Sequence, residues 1–139
     1  LMMTKSETLQ NKLRIFHKAF SHPLDEKFPA PNHKIHALKK LRRDLIREEY
    51  NEVMDAIRLK DDEEVLKELC DLVYVCVGFC VTYGWEFDVA FNRVHNSNMS
   101  KLDDAGKPIY RADGKVLKSD NYKPPTMKGL VWEKRLNKL

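Results

Sequence analysis

A chain of 139 residues with a net charge of +4, 42% hydrophobic and 33% charged, reads as one soluble globular domain. It is long enough to bury a core but short for a deep active site built by one copy, so a second copy could supply missing walls. Five glycines and six prolines weigh against a β-rich or low-complexity chain, and the apolar run at residues 72–81 falls short of the roughly 20 residues that span a bilayer.

Residues 1–12 carry no signal-peptide core, and Cys70, Cys76 and Cys80 contain no Cys-x-x-Cys pair. We read the three as reduced core cysteines of a cytoplasmic protein. The charge is uneven. Residues 44–71 hold eleven acids against four bases, and residues 101–139 hold ten bases against five acids. An acidic centre with a basic tail suits a metal site facing a phosphate-binding wall, and nucleic acid is the competing partner for such a tail.

In chain order, the first helix is expected over residues 5–20. Leu9, Leu13, Phe16 and Phe20 recur at four, three and four residues as its buried face. His17 lies beside that face and, on its position alone, is a partly exposed surface histidine. Pro23, Pro29 and Pro31 then break the chain into a loop reaching about His33, either a connection or a segment that closes over a ligand.

Two helices follow as an antiparallel hairpin about Asp61 and Asp62. On the first, Leu38, Leu41, Leu45, Glu49, Glu52 and Ala56 share one stripe. On the second, Glu64, Glu68, Asp71, Val75, Gly78 and Thr82 do the same. At about 1.5 Å per residue, Glu52 stands level with Glu68, and Glu49 with Asp71. Glu49, Glu52, Glu68 and Asp71 are therefore the candidate metal ligands. Crowded carboxylates need protons, basic partners or cations, and oxygen-only donors favour Mg²⁺, with Mn²⁺ as a substitute. The competing reading is a solvated acidic helix face.

Gly84 supplies a stop, and a fourth helix begins near Trp85 with Phe87, Phe91, Val94, Asn98 and Lys101 on one stripe. Asn98 and Lys101 are the candidate substrate-binding residues, an amide and an ammonium suited to phosphate. Asn98 is otherwise a cap, and Lys101 a cation favoured at a helix C-terminus. A two-stranded hairpin with an Asp113-Gly114 turn comes next, then an extended Tyr122-Lys-Pro-Pro125 segment, then a basic stretch from Trp132. The fold class is thus all-α, a bundle of about four main helices with a C-terminal hairpin and tail. It is expected to be a single domain over residues 1–139, with a helical core over 5–101 and the hairpin and basic tail over 102–139.

Glu49-Tyr-Asn-Glu52, fifteen intervening residues and Glu68-Leu-Cys-Asp71 resemble the ExxE plus ExxD signature of the MazG-like all-α nucleoside triphosphate pyrophosphohydrolases. This group is related to dimeric dUTPases and phosphoribosyl-ATP pyrophosphohydrolase. Glu48 adds a doubled acid found there. The resemblance continues through residues 94–101, VHNSNMSK, and into the tail, covering residues 16–125 in the manner of the short phage and bacterial proteins.

The resemblance implies a Mg²⁺-dependent cleavage of nucleoside triphosphates between the α- and β-phosphates, with dGTP or dCTP as preferred substrate. It also implies triphosphate binding by the Asn98–Lys101 segment and nucleobase contact by His17. Glu48 or Glu49 is the candidate general base. The apolar third helix requires cover, so a homodimer or homotetramer is expected. From a different class, the chain would be a helical nucleic-acid-binding or interaction module acting through its basic tail.

Overall fold

The computed structural model describes residues 7–26 and 32–131. Among them four helices precede a two-stranded sheet: α1 Leu9–Ala19, α2 Asn32–Leu59, α3 Asp62–Thr82, α4 Phe87–Met99, β1 Ile109–Tyr110 and β2 Val116–Leu117. The expected all-α class with a C-terminal hairpin is what the chain adopts. Lys5, Pro29, Pro31 and the basic stretch from Trp132 lie outside the described residues. The chain divides into two compact units, one ending at Phe87 and one beginning at Asp88.

Helix starts follow local chemistry. Thr8 caps α1, its Oγ1 accepting from the Asn11 amide at 3.1 Å. Lys60, at φ 57°, turns the chain after α2, and Asp61 Oδ1 then accepts from the Glu64 amide at 3.2 Å to open α3. Asp62, Glu63 and Glu64 occupy the first turn of α3, where exposed amides favour negative charge. With so short a connection, α2 and α3 can only run antiparallel as neighbours.

In the first unit α1 and α2 both pack on α3. Leu13, Val77 and Val81 form the innermost cluster, with Leu24 and Phe87 against it. The loop after α1 ties down the end of α3, because the Asp25 and Glu26 amides donate to the Val81 and Thr82 carbonyls at 3.1 and 2.7 Å. Asp25 is itself gripped by both Nη atoms of Arg14 at 2.7 and 2.8 Å. Gly84 ends α3 as expected. Its φ is 67°, and a Cβ there would stand 3.0 Å from Asp25 Oδ1, so no other residue fits without strain.

The helix faces differ from the expected stripes. On α1 the buried residues are Leu13 and His17, while Leu9 and Phe20 are exposed, Leu9 bordering an open hollow against Leu69, Cys70 and Val73 of α3. On α2 the buried residues among the described side chains are Arg42, Val53 and Ala56, and both Leu41 and Glu52 are exposed. Val53 competes with Glu52 for the inner position and wins because its burial needs no partner. Of the cysteines, Cys76 and Cys80 are half-buried but Cys70 is exposed, which corrects its assignment to the core.

The second unit is held by side chains that seize backbone carbonyls. Arg93 Nη1 donates to the Thr126 and Lys128 carbonyls, both at 3.0 Å. Ser97 Oγ donates to the Lys123 carbonyl at 2.7 Å. Tail residues 123–128 therefore return along α4. The hairpin pairs Ile109 with Leu117 and Tyr110 with Val116, and Gly114 takes the positive φ of its turn, at 87°.

Leu13, 2% exposed, tests this core. Leu13→Ala is expected to lower unfolding free energy by about 3 kcal/mol in urea titrations. A loss under about 1 kcal/mol would remove it from the core.

Candidate functional site

The α2–α3 hairpin brings three of the four candidate ligands together. One carboxylate oxygen each from Glu49, Glu68 and Asp71 lies within 4.8 Å of the others. Glu68 is 5% exposed, whereas Glu49 and Asp71 are half-buried. Glu52 and Glu48 are exposed and lie outside this group, although both act electrostatically on Glu49.

A cation missed in the sequence sits over the acids. Lys67 Nζ lies 2.9 Å from Glu68 Oε1, 3.3 Å from Asp71 Oδ2 and 3.5 Å from Glu64 Oε1. Its only sequence signal was adjacency to Glu68 and the four-residue step to Asp71. The hydrogen bond from Lys67 holds the Glu68 carboxyl below the usual range in spite of its burial. Glu49 moves the other way, pushed up first by burial and then by Asp71, Glu68, Glu48 and Glu52. Glu49 also shares a hydrogen bond with Glu68, so the two neighbouring carboxyl groups are pushed in opposite directions. Two adjacent carboxyl groups thus titrate apart.

This donor set fits a hard divalent cation. Three carboxylates against one ammonium leave net negative charge in a partly desolvated place, with neither sulfur nor imidazole in the group. Glu49, Glu68 and Asp71 would hold the ion.

His17 is 1% exposed, which overturns its reading as a surface histidine. Its Nδ1 lies 2.9 Å from the Pro23 carbonyl, which can only accept, so Nδ1 carries the proton and Nε2 the lone pair. Burial depresses its pKa first, the hydrogen bond to the Pro23 carbonyl works against this, and neighbouring Arg42 and His22 add to the depression. Arg42, also missed in the sequence, is 5% exposed. A Cβ on Gly78 would stand 3.3 Å from His17 Nε2 and 3.5 Å from Arg42 Nη1. Gly78 thus allows both side chains to reach the α3 backbone. The signal for Arg42 was its position seven residues before Glu49, two turns along one face.

Asn98 is exposed in the last turn of α4, and its carbonyl accepts from the Lys101 amide at 3.2 Å. Lys101 is half-buried, with its carbonyl accepting from the Ser119 amide at 3.3 Å. Both belong to the second unit.

An all-α chain with carboxylates converging across a helical hairpin is of the MazG-like pyrophosphohydrolase class. The phosphoribosyl-ATP pyrophosphohydrolase family matches residues 13–98, and the chain belongs to that family. The matched span contains His17, Arg42, every candidate ligand and Asn98, and stops before Lys101. The chain is also similar to an uncharacterized protein of Acanthamoeba polyphaga mimivirus, with 30% identity over 122 residues. That alignment covers 84% of this chain and 45% of the relative, so the chain spans less than half of the relative's length.

The buried neutral His17 has a measurable consequence. Its folded pKa lies below its ordinary 6.5, so the unfolded chain takes up the proton first as pH falls. The stabilisation is therefore present above about pH 6.5 and is lost as pH drops towards the folded value. Denaturant unfolding between about pH 7.5 and pH 5.5 is expected to show this loss, and His17→Gln should flatten it. An unchanged slope in the variant would mean that His17 is not the group responsible.

Proposed function

We propose that this protein is a Mg²⁺-dependent pyrophosphohydrolase that cleaves (deoxy)nucleoside triphosphates between the α- and β-phosphates, dGTP or dCTP preferred. The observation carrying this reading is the convergence of Glu49, Glu68 and Asp71 within 4.8 Å, with Glu68 buried. Family membership supports the same reaction class.

When bound, the divalent ion supplies neutralisation of phosphate charge and polarisation of the scissile anhydride. The chain's own residues do the rest. Glu48 or Glu49 is the base that takes a proton from the attacking water. Lys67 offsets part of the charge of Glu68 and Asp71. Asn98 and Lys101 are the groups that would bind phosphate oxygens, whereas His17, 1% exposed, would reach a nucleobase only if the α1–α3 packing around it opened.

Homodimer or homotetramer assembly in the cytoplasm accompanies this reading. It is supported by exposed Leu66, Leu69, Val73 and Tyr74 on α3 and by exposed Ile15 and Phe20 on α1. No described helix is long and apolar enough to cross a membrane. The nucleic-acid reading is less well supported, because basic-tail side chains are engaged locally: Arg111 pairs with Asp113, and Lys118 lies 4.6 Å from the centre of the Tyr122 ring.

Pyrophosphate release from a panel of nucleotides, with Mg²⁺ and with chelator, tests the proposal. Glu68→Gln is expected to lower turnover about 100-fold or more. Full turnover in that variant would reject the metal assignment. Salt-sensitive DNA binding without any turnover would favour the interaction module.

A further inference from the structure

Arg42 is the most anomalous charge in the first unit. Arg42 is 5% exposed, and among the described residues its buried Nε has no hydrogen-bond partner and its side chain no ion pair. The hydroxyl of Tyr83, itself 6% exposed, is also without a partner. Among the described residues no acidic side chain pairs with Arg42. His17 is neutral and presents its Nε2 near Arg42, and Lys39 Nζ lies 5.9 Å from the centre of the Tyr83 ring. Glu26 is close enough to act electrostatically on Tyr83 but forms no ion pair with Arg42.

An unpaired buried cation costs several kcal/mol relative to an apolar side chain of the same volume. Methionine would fill this position without that cost. We infer that Arg42, with the Tyr83 hydroxyl, forms an oxyanion subsite that takes a phosphate group. A phosphate offers several acceptor oxygens and enough charge to satisfy a desolvated guanidinium and a phenol together.

Arg42 and Glu49 are separated by seven residues on α2, about 10 Å along the helix. The subsite is therefore distinct from the carboxylate group and too far along α2 to share one phosphate with it. Free inorganic phosphate and a phosphate carried by a nucleotide are the two possible sources. Only the second rests on the function proposed above.

Thermal unfolding of the full chain in chelator separates the possibilities, since it requires neither metal nor turnover. Inorganic phosphate at about ten times its dissociation constant is expected to raise the wild-type midpoint by about 4 °C over chloride of equal ionic strength. Arg42→Met should abolish the rise while melting no lower than wild type in phosphate-free buffer. Arg42→Lys should keep part of it, and Tyr83→Phe should reduce it. A nucleoside 3′,5′-bisphosphate acting at much lower concentration than inorganic phosphate would identify a nucleotide as the source; the reverse order would identify free phosphate.

The inference is overturned if Arg42→Met keeps the full phosphate-dependent rise, or if neither phosphate source shifts the wild type. It is also overturned if Arg42→Met melts well below wild type without phosphate, which would make the guanidinium structural. None of these outcomes depends on pyrophosphate release, so the subsite and the catalytic reading fail separately.

Discussion

The tight turn between α2 and α3 is the constraint from which the candidate site follows. Lys60 accepts a left-handed conformation, Asp61 caps the next helix, and the two helices are fixed antiparallel in one relative height. Once that height is set, Glu49 must face Glu68 and Asp71, and Arg42 must meet Gly78 two turns further along. A residue inserted at the turn would slide one helix by about 1.5 Å and rotate its face by about 100°. Both meetings would be lost together.

The hairpin therefore carries two opposite electrostatic problems along one seam. At one level three carboxylates face a single ammonium, and at the other a guanidinium faces a neutral imidazole and a phenol. Neither level is balanced within the described residues. Apolar packing on either side supplies the stability that permits this, with Val53 and Ala56 on α2 and Val77 and Val81 on α3. Burial that stabilises the fold is also what makes the charges responsive, since desolvation raises Glu49 and lowers His17.

Much of this was legible in the sequence for identifiable reasons. Helical periodicity and the Asp61 turn gave α2, α3 and the level of the acids, and Asp113-Gly114 gave the hairpin. Periodicity failed where adjacent positions compete for one inward place. Glu52 and Val53 differ by only about 100° around the helix, and the apolar residue took the core. It failed again on α1, where Leu13 and His17 took the buried positions and Leu9 was left beside an open hollow against α3. Lys67 and Arg42 were missed because a basic residue within an acidic or leucine-rich stripe looks like ordinary surface charge until its neighbours across the hairpin are known.

The anchoring of the tail to α4 has an evolutionary implication. Arg93 and Ser97 hold residues 123–128 through main-chain oxygens, which every amino acid possesses. Replacement along that segment leaves the fastening intact, whereas loss of either donor would free it. Sequence drift should thus be tolerated where the strand is gripped and resisted where it is grasped from, leaving the segment's outward side chains available for divergence.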